Sequence, residues 1–275
     1  MRKLSGFSYW ILALAMAAGL SSCAGRFRKL QKSTDVKAKY AGANAFYEEG
    51  KYYKASVLYE EILPVLRGAE EGEDVLFKLA YSYYNRKDFD LASHYFQRFY
   101  NTYSRSPKAE EANYMYAYCK SQNSLRPSLD QTATKEAAEA MQAFLNRYPS
   151  SERKAEATKI IDEMQEKLAL KAFLTAKQYY KLQRFKAAVV AFDNFRKSFP
   201  DSKHNEEGQF LKIKAEYDYA HQSYSRRQEE RYQKVVDFYE SFIDSYPDSK
   251  YGKEAGRLYD TSLERLRELK SQKKS

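Results

Sequence analysis

Side chains suited to catalysis or metal binding are few in this sequence and lie far apart. The three histidines, His94, His204 and His221, fall in different segments, and none belongs to an HExxH arrangement that places two ligands on one helix face. Neither a Gly-rich phosphate loop nor a nucleophile elbow occurs. Adjacent acidic residues such as Glu48 and Glu49 point in different directions on a helix and indicate solvated faces. We therefore expect no enzymatic activity, no metal and no non-covalent cofactor.

Cys23 is the residue whose surroundings indicate a definite reaction. Arg2 and Lys3 precede an apolar stretch that is shorter than the roughly 20 residues needed to span a bilayer, as in a signal peptide. The run Leu-Ser-Ser-Cys that ends at Cys23 resembles the lipobox of bacterial lipoproteins. The resemblance implies that residues 1–22 are a signal peptide removed by cleavage, and that Cys23 carries a diacylglycerol on its thiol and an acyl chain on its new amino group. An ordinary secretory signal with an accidental cysteine is the alternative.

The lipid anchor and the basic linker indicate the membrane location and the kinds of partner that we expect. Several acyl chains on one residue give stable membrane anchoring, whereas one chain is marginal. Ala24 stands where an Asp would resemble an inner-membrane retention signal, so the resemblance implies transport to the outer membrane of a two-membrane bacterium. The linker 23–34 is basic, and it could lie against anionic lipid head groups or simply be solvated. Export argues against nucleic acid as a partner.

The composition favours an all-helical protein. The 275 residues are 43% hydrophobic and 16% aromatic, which supplies a core and excludes a wholly disordered chain. Only 10 Gly and 6 Pro are present, so we expect neither a large β-sandwich nor an α/β enzyme with glycine-rich loops. Once Cys23 is acylated, Cys119 has no cysteine partner, and we predict that it packs inside a helix.

One pattern of aromatic, proline, serine and acidic positions occurs four times. It begins at Phe99, Phe144, Phe195 and Phe242, at steps of 45, 51 and 47 residues. A second aromatic follows four residues later, then Pro in three of the copies, and then Ser and Glu. The two aromatics share a helix face, Pro forbids continuation, and Ser can cap the next helix. The pattern therefore predicts a joint between two helices.

Segments upstream of these joints resemble tetratricopeptide repeats, whose paired helices carry small and aromatic residues at set places. The first two copies contain Ala43, Phe46, Gly50, Tyr52, Ala55 and Tyr59, and then Leu76, Leu79, Ala80, Tyr83, Phe89, Ala92 and Phe96. The resemblance predicts an all-α solenoid of about five helix pairs, or about ten or eleven helices. Residues 151–182 should form one long helix and residues 250–270 a capping helix. Extra residues around 124–132 and 223–228 should lie between helices.

Aromatic residues on the first helices of two repeats indicate a peptide-binding groove. At places that face the concave groove in tetratricopeptide proteins lie Tyr40, Asn44, Tyr47, Phe77, Tyr81 and Tyr84. Aromatic rings with a polar tip suit peptide recognition, because they give a large contact area at low entropy cost and a hydrogen bond at the end. The repeat pattern assigns these side chains no packing role. Packing by the N-terminal linker is the alternative that remains open.

An acylated tetratricopeptide chain of this length resembles the BamD family, the lipoproteins of outer-membrane protein assembly. The resemblance rests on the lipobox at Cys23, the runs 79–84 and 128–132, the opening repeat and the four joints. It implies that residues 35–106 receive the targeting strand of unfolded barrel proteins. It also implies that residues 107–275 dock on the periplasmic domains of a BamA-type barrel protein, with the chain facing the periplasm. A scaffold lipoprotein that organises cell-wall or envelope enzymes is the alternative.

Overall fold

The computed structural model describes residues 25–272, and helices account for most of them. These helices are α1 (25–32), α2 (Val36–Glu48), α3 (Tyr52–Ile62), α4 (Glu70–Asn85), α5 (Phe89–Thr102), α6 (Ala109–Gln122), α7 (Thr132–Arg147), α8 (Lys154–Lys181), α9 (Phe185–Ser198), α10 (Asn205–His221), α11 (Ser225–Ser245) and α12 (Gly252–Gln272). Chain order gives five helix pairs, from α2–α3 to α10–α11, followed by α12. The predicted all-α tetratricopeptide fold is confirmed. The described part of the chain has one helix more than expected, because the linker itself forms α1.

The helices belong to two compact units. The first contains residues 25–124 together with 136–161, and the second contains 125–135 and 162–272. In the first unit α2 packs on α3, α4 on α5 and α5 on α6, while in the second α9 packs on α10, α10 on α11 and α11 on α12. Short connections make consecutive helices antiparallel neighbours. The assignment of binding roles to residues 35–106 and 107–275 concerns partners and stays a prediction.

Each unit buries alternating small and aromatic residues. In the second unit, Ala176 and Ala188 are fully buried beside Phe192, and Phe173 is almost fully buried against them. In the first, Phe46 is fully buried. Small side chains let the helices approach closely while the aromatic rings fill the remaining space. Burying one such ring contributes about 1.5–3 kcal/mol to folding.

The turn inside three of the five helix pairs contains one residue in the left-handed region. Gly50 (φ 70°), Lys87 (φ 61°) and Gln183 (φ 55°) occupy this position in three of the pairs. After Lys87, the N–H of Asp88 donates to the carbonyl of Tyr83, five residues earlier, at 3.0 Å. This is the Schellman arrangement, which satisfies a carbonyl at the helix end and reverses the chain.

Each of the four joint patterns runs from the end of one helix to the start of the next, as predicted. Their serine makes the hydrogen bond expected of a helix cap, because Ser106 Oγ accepts from the N–H of Lys108, two residues later, at 3.0 Å. Lys108, which directly precedes α6, has helical backbone angles (φ −85°, ψ −3°) and provides no side-chain hydrogen bond. Equivalent bonds join Ser151 to Arg153, Ser202 to His204 and Ser249 to Tyr251, at 3.1, 3.3 and 3.1 Å. The joint serine therefore stabilises the turn.

The structure confirms two predicted long helices and one predicted loop, but it contradicts a second predicted loop. The single helix α8 spans Lys154–Lys181, which confirms the long helix, and α12 confirms the capping helix. Extra residues before α7 form the loop 123–131. The expectation of a second loop at 223–228 was wrong, since α11 begins at Ser225 and runs for 21 residues. The added residues lengthen the helix.

Of the two cysteines, Cys119 lies within the described residues and Cys23 does not. Cys23 and the signal peptide 1–22 lie outside the described residues, so cleavage and acylation stay predictions. Cys119 is fully buried in α6, as predicted, and burial raises the pKa of its thiol to about 12. Of the described helices, none combines the length and the apolar character that a bilayer crossing requires.

Candidate peptide-binding groove

The structure brings the six predicted groove residues together in the first unit. Tyr40, Asn44 and Tyr47 lie on α2, and Phe77, Tyr81 and Tyr84 lie on α4. Their spacing of three or four residues places each set on one helix face. The two helices pack against each other, and all six side chains are half-buried. We call this surface the tyrosine groove.

A polar network connects α2 with α4 at one end of the tyrosine groove. The hydroxyl of Tyr40 donates to Asp74 Oδ2 at 2.9 Å, and Lys78 Nζ lies 2.9 Å from the same oxygen. Lys78 also donates to Asn44 Oδ1 at 3.0 Å, and the hydroxyl of Tyr59 donates to this oxygen at 2.6 Å. Asp74 and Lys78 were missed by sequence reasoning, because nothing in the repeat pattern distinguishes them from solvated charges.

Aromatic rings form the other end of the tyrosine groove. The ring centroids of Phe77 and Tyr81 are 5.0 Å apart, and those of Tyr81 and Tyr84 are 6.0 Å apart. Phe77 and Tyr81 also pack on the buried ring of Phe96, at 6.3 and 5.0 Å. The expectation that the repeat gives these side chains no packing role was therefore wrong for Phe77 and Tyr81. Both serve the core with one side of the ring.

Three groove hydroxyls, those of Tyr40, Tyr47 and Tyr81, keep their protons at neutral pH. Burial raises the pKa of Tyr47 to about 12. Burial and then the hydrogen bond that it donates to the Glu111 carboxylate raise the pKa of Tyr81 well above its usual value. Burial is also the main cause of the raised pKa of Tyr40. A phenol that donates to a carboxylate still has lone pairs, so these oxygens can accept hydrogen bonds from the backbone of a bound peptide.

The described linker packs on a different face of α2. Leu30 of α1 contacts Gly42 so closely that a Cβ atom there would collide with it, and Phe27 packs edge-to-face on Phe46 with centroids 5.9 Å apart. Gly42 and Phe46 each come two positions after a groove residue, and two positions are about 200° around a helix. The contacts of α1 therefore favour the groove interpretation over packing of the groove by the linker.

The glutamate of the joint pattern has a role that sequence reasoning missed. Glu111 accepts the hydrogen bond from Tyr81, which lies on the first helix of the preceding pair. In the second unit Lys177 donates to Glu207 and Lys214 donates to Glu254, each at 2.7 Å. The recurrence of Glu in the pattern was the available signal. Its partner lies 30 or 40 residues earlier, outside the reach of a local pattern.

The histidines pack against aromatic rings. The ring of His204 stacks on Phe173 at 4.8 Å with an interplanar angle of 10°, and His94 contacts Tyr95 edge-on at 5.2 Å. In the part of the chain that the structure describes, no group of three or more His, Cys, Asp and Glu side chains is placed to hold a metal ion. The chemistry available in the tyrosine groove is hydrogen bonding and aromatic contact.

The profile of the YfiO family, which is described as outer membrane lipoprotein, matches residues 32–189 and 172–270. These two ranges cover most of the chain. The chain belongs to this family. A curated relative, the outer membrane protein assembly factor BamD of Caulobacter vibrioides, is 24% identical over 208 residues, which are 74% of this chain and 68% of the relative. The resemblance to BamD-type lipoproteins is thus confirmed, and association with the outer membrane follows from the family.

Among solved structures, two examples resemble this YfiO-family chain weakly. The TPR2AB domain of yeast Sti1, in a complex with pHSP90, is 13% identical with a TM-score of 0.36, covering 83% of this chain and 98% of that domain. The apo form of RapI is 14% identical with a TM-score of 0.34, covering 96% of each chain. Similarity at this level is too weak to support a conclusion about fold or function. The consecutive helix pairs and the family assignment support the fold by themselves.

Proposed function

We propose that this lipoprotein is a non-enzymatic scaffold of the machinery that assembles β-barrel proteins into the outer membrane. Family membership and the similarity to the Caulobacter assembly factor support a role in this process. A lipid on Cys23 would hold the helix pairs at the periplasmic surface of the outer membrane. Residues 35–106 would bind unfolded barrel proteins, and residues 107–275 would dock on a BamA-type barrel protein.

The observation that carries the client-binding proposal is the geometry of the tyrosine groove. Alternate side chains of an extended strand are about 6.6–6.8 Å apart, which is close to the 6.0 Å between the rings of Tyr81 and Tyr84. Successive aromatic side chains of a client strand could therefore each meet a ring of the groove. Meanwhile the hydroxyl oxygens of Tyr40 and Tyr81 would accept backbone N–H groups of the strand. No nucleotide or metal takes part in this mechanism.

A direct binding measurement tests the groove. The full-length chain in mild detergent would be titrated with a fluorescent synthetic peptide that reproduces the C-terminal strand of an outer-membrane barrel protein. Tyr47→Ala and Tyr84→Ala should weaken binding, and Tyr47→Phe should retain part of it. The control is Tyr53→Ala, because Tyr53 is 60% exposed on α3, outside the groove. Equal affinity of both groove variants and the unsubstituted chain would refute client binding at this surface.

Partner identity needs a second measurement. A tagged chain would be purified from outer membranes in mild detergent, and both its partners and its N-terminal peptide would be analysed by mass spectrometry. A large barrel protein with periplasmic repeats, together with acylated Cys23, supports the assembly role. Recovery of cell-wall synthases or hydrolases instead would support the alternative scaffold function. An unmodified Cys23 would contradict the lipid anchor.

A further inference from the structure

A second concave surface lies in the second unit, on the second helices of two pairs. This surface, the basic cleft, has a volume of about 870 Å³, within the usual 300–1,000 Å³ of ligand sites. It is formed by α9, the start of α11, the C-terminal ends of α8 and α10, and the turns that follow those ends. Its main side chains are Arg184, Lys186, Val190, Tyr219, Tyr224 and Arg227. The basic cleft belongs to different elements from the tyrosine groove, and no sequence pattern indicated it.

Large apolar side chains are exposed in the basic cleft. Tyr224 is 82% exposed, Val190 52% and Tyr179 40%, while Phe185 is buried among the lining residues. A single exposed apolar residue needs no explanation, but several around one concavity mark an interaction site. The apolar groups of a ligand could therefore be covered between Val190 and Tyr224.

The charged groups that line the basic cleft all have the same sign. They are Arg184, Lys186, Arg227 and Arg231, and none of the lining residues is acidic. Within residues 25–272, Arg184 and Lys186 form no ion pair. Arg227 lies 3.4 Å from Glu230, but both side chains are more than half exposed, so this pair contributes little. The cleft therefore complements a negatively charged ligand.

Arg231 is held in place by its neighbours. Its guanidinium lies 3.6 Å above the ring centroid of Tyr219, and Nη2 donates to the hydroxyl of this tyrosine at 2.7 Å. Nη1 donates to Ser223 Oγ. A guanidinium has five N–H donors, so Arg231 retains donors for a carboxylate while its orientation is restrained. Two acidic residues, Glu216 and Glu230, line a neighbouring pocket of about 430 Å³. This pocket shares five lining residues with the cleft, namely Lys186, Val190, Tyr219, Arg227 and Arg231.

We propose that the basic cleft binds an acidic linear segment of a partner protein. Apolar anchor side chains of the segment enter between Val190 and Tyr224, and its carboxylates pair with Arg184 and Lys186. Side-chain amides of Gln183, Asn194 and Gln222 also line the cleft, and they can exchange hydrogen bonds with a peptide backbone. These amides favour a peptide over an acyl chain. The inference does not depend on client binding in the tyrosine groove.

The test is fluorescence anisotropy with the full-length chain in mild detergent. The probe is a labelled synthetic peptide in which Glu and Asp alternate with Phe and Leu. One comparison peptide carries Lys and Arg in place of the acids, and another carries Ser and Gly in place of the apolar residues. The double variant Arg184→Glu, Lys186→Glu should weaken binding of the probe by about tenfold or more. The matched control reverses two exposed cations of α12 outside the cleft, Lys253→Glu and Arg257→Glu, and should bind normally.

Each result separates the possibilities. Selective binding of the acidic apolar peptide, lost in the cleft variant and kept in the control, supports the proposal. Equal binding of the acidic peptide that lacks apolar residues would reveal simple charge attraction and overturn it. The proposal also fails if the cleft variant binds like the unsubstituted chain. Binding of phosphatidylglycerol vesicles that requires Arg184 and Lys186, without peptide binding, would assign the cleft to lipid head groups instead. Circular dichroism of both variants checks that the helices are intact.

Discussion

The hydroxyl of Tyr40 on α2 donates a 2.9 Å hydrogen bond to the carboxylate of Asp74 on α4, so that it joins the first helices of two successive pairs. The second unit has a similar bond, since Tyr180 of α8 donates to Asp218 of α10 at 2.8 Å. Polar bonds between first helices thus occur in both units. In the tyrosine groove the same side chains serve stability and provide the surface on which a peptide could lie.

Removing the Tyr40 hydroxyl should destabilise the first unit modestly. Tyr40→Phe keeps the ring but loses the bond to Asp74, which should lower the free energy of unfolding by about 0.5–1.5 kcal/mol. The low half of this range applies, because both side chains are partly solvated. Urea unfolding followed by circular dichroism measures the change. Tyr53→Phe, at an exposed position, is the control and should behave like the unsubstituted chain.

The raised pKa of Tyr47 predicts a loss of stability in alkali. Its pKa is about 12 in the folded chain and near 10 when unfolded, so the folded state holds more protons between these values. The stabilisation is complete below about pH 10 and is lost as the pH rises towards 12. Tyr47→Phe should therefore reduce the dependence of the melting temperature on pH over this interval. A variant that keeps the full slope would show that Tyr47 is not responsible.

Local patterns predicted the elements of this protein better than its surfaces. The spacing of aromatic residues, Pro and Ser correctly predicted the joints and the long helix α8. These features depend on residues that are close together in the sequence. The partner of Glu111 could not be found in this way, because Tyr81 is 30 residues distant and the bond exists only after the helices pack. Residues 225–228 are polar and lack apolar periodicity, so their helical state depends on the continuation of α11.

The two surfaces also differed in how far the sequence could predict them. Residues of the tyrosine groove recur at equivalent places of two repeats, and this recurrence predicted that they share one surface. The basic cleft combines residues of α9 with residues of α11, which have no common spacing. Only the packing of the second unit brings Arg184 near Arg227. A composition of 47 basic against 37 acidic residues gives no indication of where the excess collects.

Exchange of residues in the helix-pair turns should have opposite effects at two equivalent positions. Gly50 has φ 70°, and a Cβ there would meet no atom within 4 Å, so Gly50→Ala tests backbone conformation alone. It should cost about 1–2 kcal/mol. Lys87 has φ 61° with a side chain present, so Lys87→Gly removes strain and should be neutral or slightly stabilising. Thermal unfolding of both variants provides the comparison, and a similar loss in each would contradict the argument.

Two glycines inside helices provide a matched test of close packing. A Cβ at Gly72 in α4 would collide with the backbone carbonyl of Leu66, which cannot move aside as a side chain can. Gly72→Ala should therefore destabilise the first unit by about 1–3 kcal/mol, the usual cost of overpacking. At Gly208 in α10 the Cβ would lie 3.4 Å from the ring of Phe195, a distance close to ordinary contact.

Alanine at Gly208 should instead gain up to about 1 kcal/mol, because it is the better helix former. Denaturant unfolding would show the two variants shifting in opposite directions. The difference in sign separates steric collision from helix propensity, since propensity alone favours alanine at both positions. If Gly72→Ala were as stable as the unsubstituted chain, the close approach of Leu66 to α4 would not exist in solution. If Gly208→Ala were strongly destabilised, the Phe195 ring would lack the few tenths of an ångström of freedom that the substitution requires.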